Sequence, residues 1–190
     1  MKKYILFNKP YNVISQFSST EEKRTLAEFS FPKNVYPVGR LDYDSEGLLL
    51  LTDDGDFHHR LIAPAFRHER TYLVQVENIP SAQAIQNLQN GVIIERKKTL
   101  PAIAELLQEE PLVFSRPVPI SHRKNIPTRW LKIILCEGRN RQIRKMTASI
   151  GCPTLRLIRV QILCLTINML QPGEWRYFTD NELQEIMQML

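Results

Sequence analysis

No apolar run in the 190-residue chain approaches the roughly 20 residues that a membrane helix requires; the longest obvious one, Leu48 to Leu51, has the length of a single strand. Lys2 and Lys3 precede only a short apolar stretch, Tyr4 to Phe7, which is too brief for the core of a secretion signal and reads as a first strand. Cysteine is scarce. Cys136, Cys152 and Cys164 are far apart and form no Cys-x-x-Cys pair, which disfavours a zinc ribbon or a thioredoxin-like site. Three reduced, partly buried thiols in a soluble cytoplasmic protein are expected. His58, His59, His68 and His122 show no ligand spacing such as His-Glu-x-x-His, so no metal is implied. There is no internal repeat and no low-complexity segment.

Acid is nearly missing from residues 116–145. There Arg116, Arg123, Lys124, Arg129, Lys132, Arg139, Arg141, Arg144 and Lys145 stand against Glu137 alone, with Arg156 and Arg159 following. The C-terminal stretch is acidic through Glu174, Asp180, Glu182 and Glu185, so the modest net charge of +5 conceals an uneven distribution. A one-sided basic surface implies an anionic partner, nucleic acid before membrane, because no basic amphipathic helix with an aromatic face accompanies it. The plainer alternative is a solvated charged face.

Apolar and β-branched clusters between turn residues predict strands over 4–8, 48–52, 70–77, 92–95, 130–136 and 156–163, and helices over 57–63, 81–89, 141–150 and 181–189. Ser81 is placed to cap the second helix and Asn90-Gly91 to close it, and Thr179-x-x-Glu182 is a capping box for the last. Many strand-to-strand gaps are too short for helical crossovers, so a mixed, largely antiparallel sheet in an α/β or α+β chain is expected, and a doubly wound parallel fold is disfavoured. The Pro-rich stretch 111–127, carrying Arg116, His122, Arg123 and Lys124, reads as a long functional or mobile loop.

The segment 39–55 places Arg40 and Asp42 in a polar loop that leads into an all-apolar strand, which the Asp53-Asp54-Gly55 turn ends. A strand buried on both faces is a rigid mount for a reactive group. Asp42-x-Asp44-x-Glu46-Gly47 resembles half of a calcium loop. Asp53 stands where such a loop needs a bidentate Glu, and a strand rather than a helix follows, so calcium is disfavoured. An acid-rich surface turn remains the plainer reading of this segment alone.

Around 137–146, a strand turns at Glu137-Gly138 and Asn140 is suited to cap a helix on which Ile143, Met146, Thr147 and Ile150 share one side. Arg141 and Lys145 fall on the other side. Arg144 lies on the flank, where an arginine is partly buried if it has an anionic partner. Basic residues at a helix start suit phosphate contacts, although a solvent-facing basic helix has the same pattern.

Lys9-Pro10, Gly-Arg-Leu-Asp-x-Asp-Ser-Glu-Gly-Leu-Leu-x-Leu-Thr at 39–52, Glu-Gly-Arg-Asn-Arg-Gln-Ile-Arg-Lys-Met at 137–146, 153–159 and Pro172-Gly173-Glu174-Trp175-Arg176 together resemble the pseudouridine synthases of the ribosomal small-subunit synthase A type. The resemblance covers essentially the whole chain, and residues 7–11 and 126–133 look most like its large-subunit branch. It implies an α+β pseudouridine synthase fold with a mainly antiparallel central sheet. One catalytic domain over 1–190 is expected, divisible into two subdomains that share the sheet and flank the active-site cleft, with no S4 domain ahead of Tyr4.

The implied reaction isomerises a specific uridine of ribosomal RNA, in the large subunit, to pseudouridine without metal or organic cofactor. By the resemblance, Asp42 is the catalytic carboxylate, either a nucleophile or a base that takes a ribose proton. Arg144 is its charged partner. Tyr72 stands against the target base, although from the residues alone a tyrosine packed on its sheet is the better reading. Arg40 enters the stack and holds the uridine out of it, and Arg139, Arg141 and Lys145 meet the RNA backbone. The implied partner is ribosomal RNA, free or in pre-ribosomal particles, with no membrane and a monomeric protein. A non-catalytic RNA-binding assembly factor on the same scaffold is the alternative.

Overall fold

Eleven strands and four helices form among the described residues of the computed structural model, which are 1–120 and 126–190. The expected basic residues His122, Arg123 and Lys124 lie outside them. In chain order the elements begin with β1 (Tyr4–Lys9), β2 (Tyr36–Pro37), β3 (Glu46–Thr52), α1 (Gly55–Ile62), β4 (Arg70–Glu77) and α2 (Ala82–Asn90). Then follow β5 (Ile93–Ile94), β6 (Lys97–Lys98), β7 (Ile103–Leu106), β8 (Thr128–Leu135), α3 (Gln142–Ser149), β9 (Thr154–Ile162), β10 (Leu165–Thr166), β11 (Trp175–Tyr177) and α4 (Asp180–Met189). The architecture is α+β with mainly antiparallel pairing, as the sequence predicts.

Two compact units emerge, residues 1–68 with 159–190 and residues 69–158. In the first, β1 pairs antiparallel with β11 on one side and β3 on the other, β2 also pairs with β3, and β10 pairs with β9. The apolar run does what its composition requires. Leu48, Leu49, Leu50 and Leu51 are all fully buried, alternating between two cores, one with Leu6, Phe57 and Ile186 and one with Ile5, Phe7 and Leu26. Each buried leucine contributes roughly 1.5–3 kcal/mol, so β3 is fixed from both faces. Asp54 caps α1 by accepting from the Asp56 and Phe57 N–H groups, and Thr179 with Glu182 forms the predicted capping box of α4.

In the second unit β4, β8 and β7 are antiparallel neighbours, with Tyr72 opposite Ile133 and Ile103 opposite Ile134. Val74, Val76, Leu88, Leu131, Ile133, Ile143 and Met146 build its core. Ser81 caps α2 by accepting from the Ala84 N–H, and Gly91 ends it. The strand expected over 92–95 is a two-residue strand in the tight hairpin β5–β6, and β7 is a further strand that the sequence pattern does not predict. No helix among the described residues is long and apolar enough to cross a membrane.

Candidate active site

The turn bearing Arg40 and Asp42 is held at almost every residue. Gly39 has φ +70, and Leu41 is buried beneath the turn. The buried Ser15 hydroxyl grips Leu41 from both sides, accepting from its N–H at 3.0 Å and donating to its carbonyl at 2.8 Å. The Asn12 N–H donates to the Tyr43 carbonyl at 2.9 Å, and the Ser45 N–H closes back on the Asp42 carbonyl at 3.0 Å. Between the two buried neighbours Leu41 and Ser45, the Asp42 side chain stays half-buried, whereas Arg40 is exposed. A carboxylate on a backbone fixed at both ends, beside an arginine free to reach outward, suits covalent or acid–base work on a large substrate.

Beneath this turn lies a buried charge cluster. Lys9 has no solvent exposure, and its amine donates to the carbonyls of Val13 at 2.7 Å and Pro10 at 2.9 Å. Burial pushes that amine down to about 7, opposed by the attraction of Glu46, Asp44 and Asp42 and reinforced by the charge of Arg159. Two carbonyl acceptors need only two N–H donors, so the neutral amine keeps both bonds. Arg159 on β9 is also buried, and its Nε donates to the Leu48 carbonyl at 2.8 Å. Gly47, with φ +104, permits that approach: a Cβ there would sit 2.2 Å from the Arg159 carbonyl oxygen.

Asp53 and Asp54 are each engaged within the first unit. Asp53 accepts from the Lys3 N–H at 2.7 Å and pairs with its amine at 3.3 Å. Asp54 accepts from the Tyr4 hydroxyl at 2.6 Å; burial and this bond hold the phenol well above its usual range, while the bond holds the carboxyl below its own against the opposing effect of burial.

Tyr72, Arg139, Arg141, Arg144 and Lys145 all belong to the second unit. Tyr72 is half-buried on β4, packed with Val74 and Val76 against the core. Arg144 is half-buried on α3. Arg141 is exposed, but its backbone is left-handed, φ 51, and it occupies the cap position without a side-chain capping bond. That corrects the expected Asn140 cap. The Asn140 carbonyl accepts instead from the Lys145 amine at 2.7 Å, which also pairs with Glu95 at 2.6 Å.

Arg139 is engaged within the protein. Its guanidinium donates to Glu137 at 3.2 Å and to the Lys98 carbonyl at 2.8 Å, while its N–H donates to Gln142. Buried Gln142 in turn donates to Glu137 at 2.6 Å, and Glu137 also accepts from the Leu100 N–H at 2.9 Å. Glu137, the lone acid among the bases of this stretch, thus organises the loop ahead of α3. Its isolation was the signal. Arg156 and Arg159, read as part of a basic surface, are buried; Arg156 donates to the Phe114 carbonyl at 2.8 Å. Ser15 carried no signal in the sequence.

Known proteins resemble this chain over most of its length. Residues 3–149 match the family described as RNA pseudouridylate synthase. A ribosomal large subunit pseudouridine synthase E from Xanthomonas campestris pv. campestris is 52% identical over 174 residues, covering 90% of this chain and 93% of the relative. The protein of the same description from Vibrio vulnificus is 48% identical, covering 92% of this chain and 74% of its own length. Among solved structures, a pseudouridylate synthase superposes with a TM-score of 0.80 at 27% identity, across 100% of this chain and 74% of the other. With Asp42 on a clamped turn inside the matched residues, and the match running through both units, the chain belongs to the RNA pseudouridylate synthase family.

Proposed function

We propose that this protein isomerises one uridine of large-subunit ribosomal RNA to pseudouridine, with Asp42 as the catalytic carboxylate. The family's reaction breaks the bond between ribose C1′ and N1, turns the base and rejoins it through C5; the C5 proton is lost and N1 gains one, so the change is redox-neutral. The observation that carries the reading is the mounting of Asp42. Its turn is bonded to Asn12 and Ser15 and runs into a strand buried on both faces, which fixes the backbone from which the carboxylate projects.

Asp42 acts ionised, as nucleophile or as the base for a ribose proton. Arg144 is its charged partner in the same reaction, and Tyr72 stacks on the uracil. Exposed Arg40 fills the gap left when the uridine leaves its stack. Arg141 meets backbone phosphates, as do Lys145 and Arg139 to the extent that Glu95 and Glu137 leave them charge to share. The chain acts as a cytoplasmic monomer, on free rRNA or on a pre-ribosomal particle.

Deleting the gene and mapping pseudouridines across both ribosomal RNAs tests the substrate. One position should revert to uridine, in the large-subunit RNA, and should be restored by the wild-type gene. An unchanged map, or a lost position in the small subunit or in transfer RNA, contradicts the assignment.

A further inference from the structure

A second feature of the first unit follows helix α1. Helix α1 ends at Ala63, whose N–H donates to the His59 carbonyl at 3.0 Å, and the chain makes a tight turn over Pro64–Phe66 closed by the N–H groups of Phe66 and left-handed Arg67. The Phe66 ring, 48% exposed, lies parallel to the His68 ring, with centroids 5.6 Å apart and planes within 9°. His68 is buried, and its Nε2 is 3.2 Å from the Arg60 carbonyl, which can only accept, so Nε2 carries the proton and the imidazole is fixed. The exposed phenyl is therefore a preset flat surface rather than a loose side chain.

Its neighbours along the chain are mostly basic. From Phe57 to His68 there is no Asp or Glu, Arg60 and Arg67 are exposed, and the exposed Glu69 follows. The helix end that leads into this turn borders the Asp42 turn: Ile62 Cγ2 lies 3.8 Å from where a Cβ would stand on Gly39, the residue before Arg40. An open aromatic face with exposed arginines outnumbering the single nearby acid in sequence is a combination that binds an unpaired nucleobase by stacking and its phosphates by charge.

We propose that Phe66, backed by His68 and flanked by Arg60 and Arg67, is a stacking platform for an unpaired base of the substrate RNA close in sequence to the target uridine. The platform rests on the RNA-modifying function proposed above, and adds a contact that holds the displaced strand while the uridine is out of its stack. It reads no base edge, so it tolerates any base at that position.

Binding of a large-subunit rRNA transcript to full-length wild type, Phe66→Ala, Phe66→Leu and Phe66→Tyr, measured by anisotropy, tests it. Loss of one stacked base corresponds to a roughly 5- to 150-fold weaker Kd. That loss is expected for Ala, most of it for Leu, which keeps the apolar volume but not the ring, and little for Tyr, with melting temperatures unchanged. An abasic scan around the target uridine should find one nucleotide whose removal weakens the wild type as much as Phe66→Ala does, and weakens Phe66→Ala no further.

Unchanged affinity in Phe66→Ala, equal affinity in Leu and Tyr, or the absence of any coupled nucleotide overturns the platform. So does a defect confined to protein-containing particles, which would assign Phe66 to a protein contact. Tritium release from 5-tritiated uridine RNA separates the two proposals. A wild type that releases tritium with Phe66→Ala indifferent in binding sinks the platform alone; a wild type that releases none while Phe66→Ala still loses affinity sinks the enzymatic reading alone.

Discussion

Replacing Lys9 with Met probes the charge cluster under the active turn. A lysine has an ordinary value of 10.5, and burial holds this one at about 7 in the folded protein. Between those values the unfolded chain keeps a proton that the native state gives up. The slope of stability is then positive with pH, so the wild type is at its best, relative to a variant without the amine, above pH 10.5 and loses that advantage as pH falls through about 7. One proton corresponds to about 1.4 kcal/mol per pH unit, which sums to about 3–4 kcal/mol between pH 7 and pH 10. Carboxyl groups as a class titrate well below this window, and other groups cancel in the difference between the two proteins. Urea unfolding of wild type and Lys9→Met, followed by tryptophan fluorescence at pH 7, 8, 9 and 10, measures it. The wild-type advantage should grow by about 3 kcal/mol across the series. A difference constant within about 1 kcal/mol refutes a native lysine held largely neutral by burial.

Gly47→Ala puts a methyl 2.2 Å from the Arg159 carbonyl at φ +104, so the backbone must part and thermal unfolding should show a loss of about 3 kcal/mol or more; a melting point within a degree or two of wild type contradicts the close approach. Arg141→Gln should lower the salt slope of RNA binding by about one with stability unchanged, because Arg141 is exposed. Arg139→Gln should instead cost stability, by roughly 1–3 kcal/mol, since Glu137 loses its charged donor; equal effects of the two on the salt slope would place Arg139 on phosphate. Arg144→Leu should fold, being half-buried, and on the proposed pairing with Asp42 should lose about 10- to 100-fold in kcat. Near-normal turnover rejects that pairing.

Much of the architecture was legible because its signals are local. Leu48 to Leu51 admit only a strand buried on both faces, and Ser81 and Thr179 cap the helices they precede. Elements that exist through partners distant in sequence were not legible. β7 is four residues long and forms because β8 lies beside it. Arg156 and Arg159 look like surface bases, yet they lie on β9, where backbone carbonyls of Phe114 and Leu48 receive them. Asn140 has the chemistry of a cap, but Lys145 takes its oxygens and left-handed Arg141 starts the helix.

The turn that carries Asp42 and Arg40 was legible from its motif, whereas the group that grips it, Ser15, lies 26 residues from its partner and has no pattern of its own. The same holds for Phe66, whose value depends on a histidine ring it happens to face.

The most direct test of the central claim is tritium release from 5-tritiated uridine in large-subunit rRNA by wild type and by Asp42→Ala. Wild type should release up to one equivalent per RNA, and Asp42→Ala none above background while binding the same RNA with similar affinity. Release by Asp42→Ala at a rate near that of wild type would remove Asp42 from the chemistry.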